Sequence, residues 1–226
     1  MKNIITAFTK WLFCCFLFIC LMLVARIIYA GNLRYIFLVW NLFLAFVPYI
    51  ISMGFNKIAF KGKLLQLLIF STWLLFFPNA LYIITDIIHL GKTSVVPLWY
   101  DAVLLFTSSL LGLVLAFASL INVEKYFMFY FKNIHVNILI ILLLFAGSYG
   151  VYLGRFERWN SWDIVKNLNE MMLYILNTFL HPLEHTKMWV VTFLLTGLYS
   201  LFWYLVKMGF KNVEKNINIS GNHSNN

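Results

Sequence analysis

FFPNALYIITDIIHLGKTSVVPLWYD, residues Phe76–Asp101, closes one apolar run, crosses a short loop and opens the next. It carries Asn79, Tyr82, Asp86 and His89 at steps of 3, 4 and 3, which puts the four side chains on one helix face. Pro78 lacks a backbone N–H and crowds the turn before it, so a kink is expected there. A helix from Leu64 to Leu90, at ~1.5 Å per residue, outruns the ~30 Å of bilayer hydrocarbon. Asp86 and His89 are therefore expected at the water boundary, with Asn79 and Tyr82 deeper. Pro97 suits the start of the next helix, and Asp101 lies one turn inside it.

The rest of the chain reads as the frame for this stretch. Of 226 residues, 62% are hydrophobic and only 11% charged, and the mean hydropathy is +0.85. Soluble domains carry ~25% charged residues. The runs long enough to cross a bilayer lie at about 8–29, 34–54, 64–85, 98–121, 136–156 and 187–206. They make residues 1–210 one integral membrane domain, followed by a polar tail, 211–226, expected to be disordered. The first run is read as an uncleaved span, because no small-x-small cleavage site follows it. Arg26, near its end, is expected to snorkel to the headgroups. The net charge of +9 would suggest nucleic acid in a soluble protein. Here the basic residues sit between apolar runs, where membrane orientation accounts for them. The expected partner is the lipid bilayer, and no nucleic acid. Cys14, Cys15 and Cys20 all fall in the first run, which is neither a disulfide framework nor a metal-ligand spacing.

Several positions inside the runs predict packing. Asn41 is unsatisfied in lipid and must face another helix. Ser108, Gly112 and Ala116, and likewise Gly147, Gly150 and Gly154, form small-residue faces for close helix approach. Glu124, Lys125 and Lys132, among Tyr126, Phe127, Phe129, Tyr130 and Phe131, read as a headgroup loop. Trp99 and Tyr100, with Trp159, Trp162 and Trp189, read as interfacial anchors.

The second polar phrase is YGVYLGRFERWNSWD, Tyr149–Asp163. Asn160 or Ser161 then suits the N-cap of a helix over about 162–180. That helix is amphipathic, with Ile164, Leu168, Met171 and Ile175 on one stripe and Asp163, Asn167, Glu170, Tyr174 and Asn177 on the other. It is expected to lie in the membrane interface.

Ten Lys and Arg fall on one side of this topology and seven on the other, so the positive-inside rule places both termini in the cytoplasm. The loops after the third and fifth spans then share the outer face. That brings together Asn79, Tyr82, Asp86, His89, Asp101, Arg155, Glu157, Arg158, Asn160 and Asp163. Ionisable groups at membrane depth are costly, so they pair or serve a pathway. A structural reading pairs Asp86 and Asp101 with Arg155 and Arg158. A functional reading takes Asp86, His89 and Asp101 as catalytic candidates, with acid–base work from Asp86 and His89. Asn79, Tyr82, Arg155, Arg158, Asn160 and Asp163 are then binding candidates, the arginines suiting a phosphate or carboxylate. An envelope-side enzyme on a lipid-linked or anionic substrate fits this inventory, and so does a small-solute or anion transporter. No nucleophile motif, phosphate loop or metal box is present, so no cofactor and no metal are expected. His181 and His185, with Glu184 between, are the pair that a helix start would aim one way for zinc.

At FPNALYIITDIIHL, PLWYD and YGVYLGRFERWNSWD the chain resembles a bacterial family of multi-pass membrane proteins known as domain of unknown function 1361. The resemblance runs from about the third span to the sixth. It implies an α-helical integral membrane fold and no activity; the expected location is a bacterial inner membrane. Leu81 departs from the second proline often found in relatives, which leaves the bend after Asn79 open. The expected architecture is all-α: six transmembrane helices plus one interfacial amphipathic helix.

Overall fold

The computed structural model describes residues 2–55, 62–91, 95–159, 161 and 166–223, and the side chains among them from residue 7 to 209. It is a helix bundle with no strand among the described residues. Among the described residues seven helices follow in order: α1 (Lys2–Ala30), α2 (Phe37–Met53), α3 (Lys63–Tyr82), α4 (Leu98–Met128), α5 (Asn133–Tyr152), α6 (Leu168–Leu180) and α7 (Thr186–His223). A 3-10 segment, Ile83–His89, prolongs α3, and a π turn, Leu153–Glu157, prolongs α5.

Five of these segments are long and apolar enough to cross a membrane: Ala7–Ala30, Lys63–His89, Leu98–Met128, Asn133–Glu157 and Thr186–Gly209. The second expected span is shorter, since α2 has 17 residues, at the low end of the ~17–25 that a crossing needs. Its contacts nonetheless reach from one end of the bundle to the other. Just before α2, Tyr35 Oη donates to the carbonyl of His89. Near the other end of α2, Ser52 Oγ accepts from Asn122 of α4, and Phe55 packs against Tyr126.

The up-and-down order follows from such pairs. The end of α1 meets the start of α4 at Arg26 and Asp101. The ends of α3 and α5 meet at Asp86 and Arg155. At the opposite end Lys207 of α7 pairs with Glu124 of α4 and donates to Asn137 of α5. Helix α4 is the central post, in contact with α1, α2, α3 and α5.

Close approach comes from the small residues. A Cβ on Gly112 would lie 2.9 Å from the carbonyl oxygen of Ala80, and one on Gly150 would lie 2.5 Å from Cγ of Pro78. The two small faces therefore clasp α3 from both sides, as expected. Between them, Trp73 Nε1 donates to Ser119 Oγ at 2.6 Å, and that hydroxyl donates to the carbonyl of Pro48. Three helices, α2, α3 and α4, are thus tied through groups that an apolar surrounding would leave unsatisfied.

Three expectations change. Helix α4 runs on to Met128, so Glu124 is a buried helical residue rather than part of a loop. Its carboxylate finds Lys207, and the pair removes the reason to leave the bundle. Helix α7 continues to His223 through the expected disordered tail, with no proline to stop it. The described part of the amphipathic helix begins at Leu168, and its inward residues are Met171, Tyr174, Ile175 and Thr178, while Leu168 stays exposed. The inner stripe is thus rotated towards polar groups, because Thr178 Oγ1 and Tyr149 Oη hydrogen-bond at 2.9 Å. Ser161, one of the two expected caps, is bonded to α3, as described below, and residues 162–165 after it lie outside the described ones.

Candidate functional site

One end of the bundle holds two buried ion pairs and a cavity. In the first pair, Arg26 Nε donates to Asp101 Oδ1 at 2.8 Å and Nη2 to Oδ2 at 3.3 Å, with side-chain exposures of 1% and 2%. Arg26 also donates to Asn32, and its guanidinium lies 4.4 Å from the centre of the Tyr35 ring. This overturns two expectations. Arg26 does not snorkel, and Asp101 pairs with it rather than with Arg155 or Arg158. The cause is local: Pro97 starts α4 beside the end of α1, so Asp101 reaches Arg26 first.

The second pair is Asp86 with Arg155, as expected. The switch from α to 3-10 winding after Tyr82 stacks residues three apart, which aligns Asp86 with His89. The π turn does the matching work on α5 by carrying Arg155 towards α3. Each guanidinium nitrogen is engaged: Nε donates to Thr85 Oγ1 at 2.8 Å, Nη1 meets His89 Nε2 at 3.1 Å, and Nη2 donates to Asp86 Oδ1. Asn41 Nδ2 donates to the other Asp86 oxygen at 3.0 Å, so Asn41 does face another helix. Below, the Tyr82 ring lies 4.0 Å from the guanidinium carbon, a cation–π contact.

Tyr35 joins the two pairs. Its ring touches Arg26, and its hydroxyl reaches His89. Burial pushes that hydroxyl's pKa up, and the charge of Asp101 adds to the rise while Arg34 and Arg26 oppose it.

Arg158 plays a different part from the one expected. It is exposed, and its backbone sits at φ +60°, where non-glycine residues are uncommon. There it reverses the chain after the π turn, and Trp159 N–H bonds back to the Leu153 carbonyl. Glu157, also exposed, acts on Tyr174, whose pKa is raised by burial and then by its hydrogen bond to that carboxylate.

Beside the ion pairs lies a cavity of about 450 Å³ between α2, α3, α5 and α6. At its polar end are Asn41, Asn79, Tyr82, Trp159 and Ser161, and further along are Leu44, Leu74, Leu75 and Ser71. Asn79 Nδ2 donates to the Phe76 carbonyl and to Ser161 Oγ at 2.9 Å. Ser161 Oγ in turn donates to the Leu75 carbonyl at 3.1 Å. The segment after α5 is thereby pinned to α3 beside Pro78. Asp86 and His89 do not line the cavity; Tyr82 and Asn41 stand between.

Of the expected residues, Asn79 and Tyr82 line the cavity, Asp86, His89 and Arg155 form one cluster behind it, and Asp101 belongs to the neighbouring pair. Asn160 and Asp163 lie outside the described residues. His181 ends α6 and His185 precedes α7, so they do not share one helix turn. His185 Nε2 faces Asn177 Nδ2 at 3.2 Å, and no cluster of three or more His, Cys, Asp or Glu with metal-binding potential occurs among the described residues. Sequence reasoning misses Arg26, Thr85 and Ser161 as partners. Arg26 carries a signal, being a charge inside an apolar run; the other two carry none.

Among proteins of known description and solved structures, none matches this chain. The family model described as protein of unknown function (DUF1361) matches residues 40–212, which adds the second apolar run to the part that carries the resemblance. The chain therefore belongs to that family, and it is a membrane protein by its helices.

Proposed function

We propose that the chain is a multi-pass protein of the bacterial inner membrane that takes a ligand into the cavity beside Asn79, and that its ion pairs hold the walls of that cavity. The observation that carries this is the division of labour at the polar end. The buried charged groups are spent on one another, and the open volume, about 450 Å³, is lined by uncharged groups beside them among the described residues. That volume falls in the ~300–1,000 Å³ range of small-molecule sites, and the mix of apolar walls with a few convergent polar groups is typical of them.

The polar end faces out of the cell in this reading, with α2 as a sixth crossing and both termini in the cytoplasm. Pairing withdraws Arg26 and Arg155 from the outer positive charges and Lys207 from the inner ones, so the inward bias of positive charge sharpens. Reporter tags after residue 60 and after residue 92 test it: they should report opposite sides, with the second outside. Both tags on one side would contradict the topology.

Binding without chemistry is the form favoured. Asp86 and His89 are held by Arg155 and screened from the cavity by Tyr82 and Asn41, which leaves no acid–base pair facing a substrate among the described residues. A ligand-induced rise in melting temperature, abolished when bulk is placed in the cavity, is the expected behaviour.

A further inference from the structure

We infer that the occupant of this cavity is a membrane lipid with an uncharged, hydroxyl-bearing headgroup, entering sideways from the bilayer. The inference rests on the reading above and names the ligand class. The cavity extends along α3 from Tyr82 to Ser71, a rise of ~16 Å, about half the ~30 Å hydrocarbon thickness. Ser71 is exposed although it sits in the middle of a membrane-spanning helix, and Trp40, on the facing helix, is 53% exposed. A mouth at that depth faces acyl chains, not water. An occupant lying along it has a polar group against Asn79 and an apolar chain against Leu44 and Leu74.

The headgroup chemistry follows from what each polar group still offers. The Asn79 amide is oriented by its bond to the Phe76 carbonyl, which can only accept. Its Nδ2 is occupied twice, so Oδ1 is what remains, and it is an acceptor without a donor among the described residues. A hydroxyl satisfies it; a phosphate, which brings only acceptors, is repelled. The Tyr82 hydroxyl, likewise without a hydrogen-bond partner among the described residues, suits the same hydroxyl as donor or acceptor. Arg155, stacked on Tyr82, has its nitrogens committed to Thr85, His89 and Asp86. A charged headgroup would thus lose its water and gain no counter-ion from the described lining, a costly exchange.

The test uses the full chain in detergent micelles, titrated separately with dioleoylglycerol and dioleoylphosphatidylglycerol. Retention of each is measured for the native protein, for Ser71→Trp, which plugs the mouth from an exposed position, and for Asn79→Leu. Dioleoylglycerol should be held more tightly than the phospholipid. Asn79→Leu should weaken it roughly tenfold, the value of one hydrogen bond at a desolvated site, and Ser71→Trp should abolish it. Preference for the phospholipid, still abolished by Ser71→Trp, would overturn the headgroup assignment and leave the binding reading standing. Retention of neither lipid, or retention that both variants leave unchanged, would overturn the two together.

Discussion

Arg26 and Asp101 are 75 residues apart in the chain and meet through two hydrogen bonds, at 2.8 and 3.3 Å, with both side chains almost wholly buried. A buried pair of this kind contributes little over a well-packed apolar pair, yet removing one partner strands the other charge. Arg26→Leu or Asp101→Leu alone should therefore lower the unfolding free energy by ~3–5 kcal/mol, measured by denaturant unfolding in mixed micelles. The two changes together should recover most of that loss. A double variant as unstable as the sum of the singles would mean the two residues act independently.

The two arginines at the end of α5 should behave in opposite ways. Arg155→Gln leaves Asp86 charged and buried, and should cost ~3–5 kcal/mol. Arg158→Gly relieves a left-handed backbone that costs a non-glycine residue ~1–2 kcal/mol, at the expense of the freer unfolded chain that glycine brings. The net change should stay within about 1 kcal/mol of the native protein. Chemical denaturation of the two variants side by side checks this, and equal losses would refute the distinction.

Glycine positions separate packing from propensity. Gly112→Ala and Gly150→Ala push a methyl group against the Ala80 carbonyl and the Pro78 ring, and each should cost ~1–3 kcal/mol. At Gly197, in α7, a methyl group would meet nothing within 4 Å, so Gly197→Ala should be neutral or stabilise by up to ~1 kcal/mol. Thermal melts of the three variants decide the matter, with the opposite ranking as the contrary result.

Alkaline pH should loosen the polar end through Tyr35. Its pKa is raised above the unfolded value of ~10, so the neutral phenol is favoured in the folded state. Its contribution is intact below pH ~10 and is lost as pH rises from there through the folded value. Tyr35→Phe should be less stable than the native protein near pH 8, because the bond to the His89 carbonyl is gone. The difference should shrink above pH ~10. Melting curves across that range would contradict this if the gap stayed constant.

Much of this architecture is legible in residue order, and the reasons are physical. Long apolar runs admit one secondary structure in lipid, and Gly112 or Gly150 at four-residue steps marks a helix face that must be approached closely. The meeting of Asp86 with Arg155 follows from an even number of crossings between them. What residue order does not decide is the choice among partners of equal charge: Asp101 shares its end of the bundle with four arginines, Arg26, Arg34, Arg155 and Arg158, and only the packing of α1 against α4 selects Arg26. A carboxylate in an apolar run is costly, which argues for Glu124 outside the bundle, and Lys207 cancels that rule from 83 residues away. The cavity leaves no trace in the sequence, since it is the space between side chains of four helices and not a property of any one of them.

The most direct measurement is a double-mutant cycle on Asp86 and Arg155, with Asp86→Asn, Arg155→Gln and the two combined, read by unfolding free energy in mixed micelles. If opposite charges from separate crossings hold α3 to α5, the double variant will be more stable than the sum of the singles requires, by ~1–3 kcal/mol. Losses that add, leaving no coupling between the two positions, would contradict it.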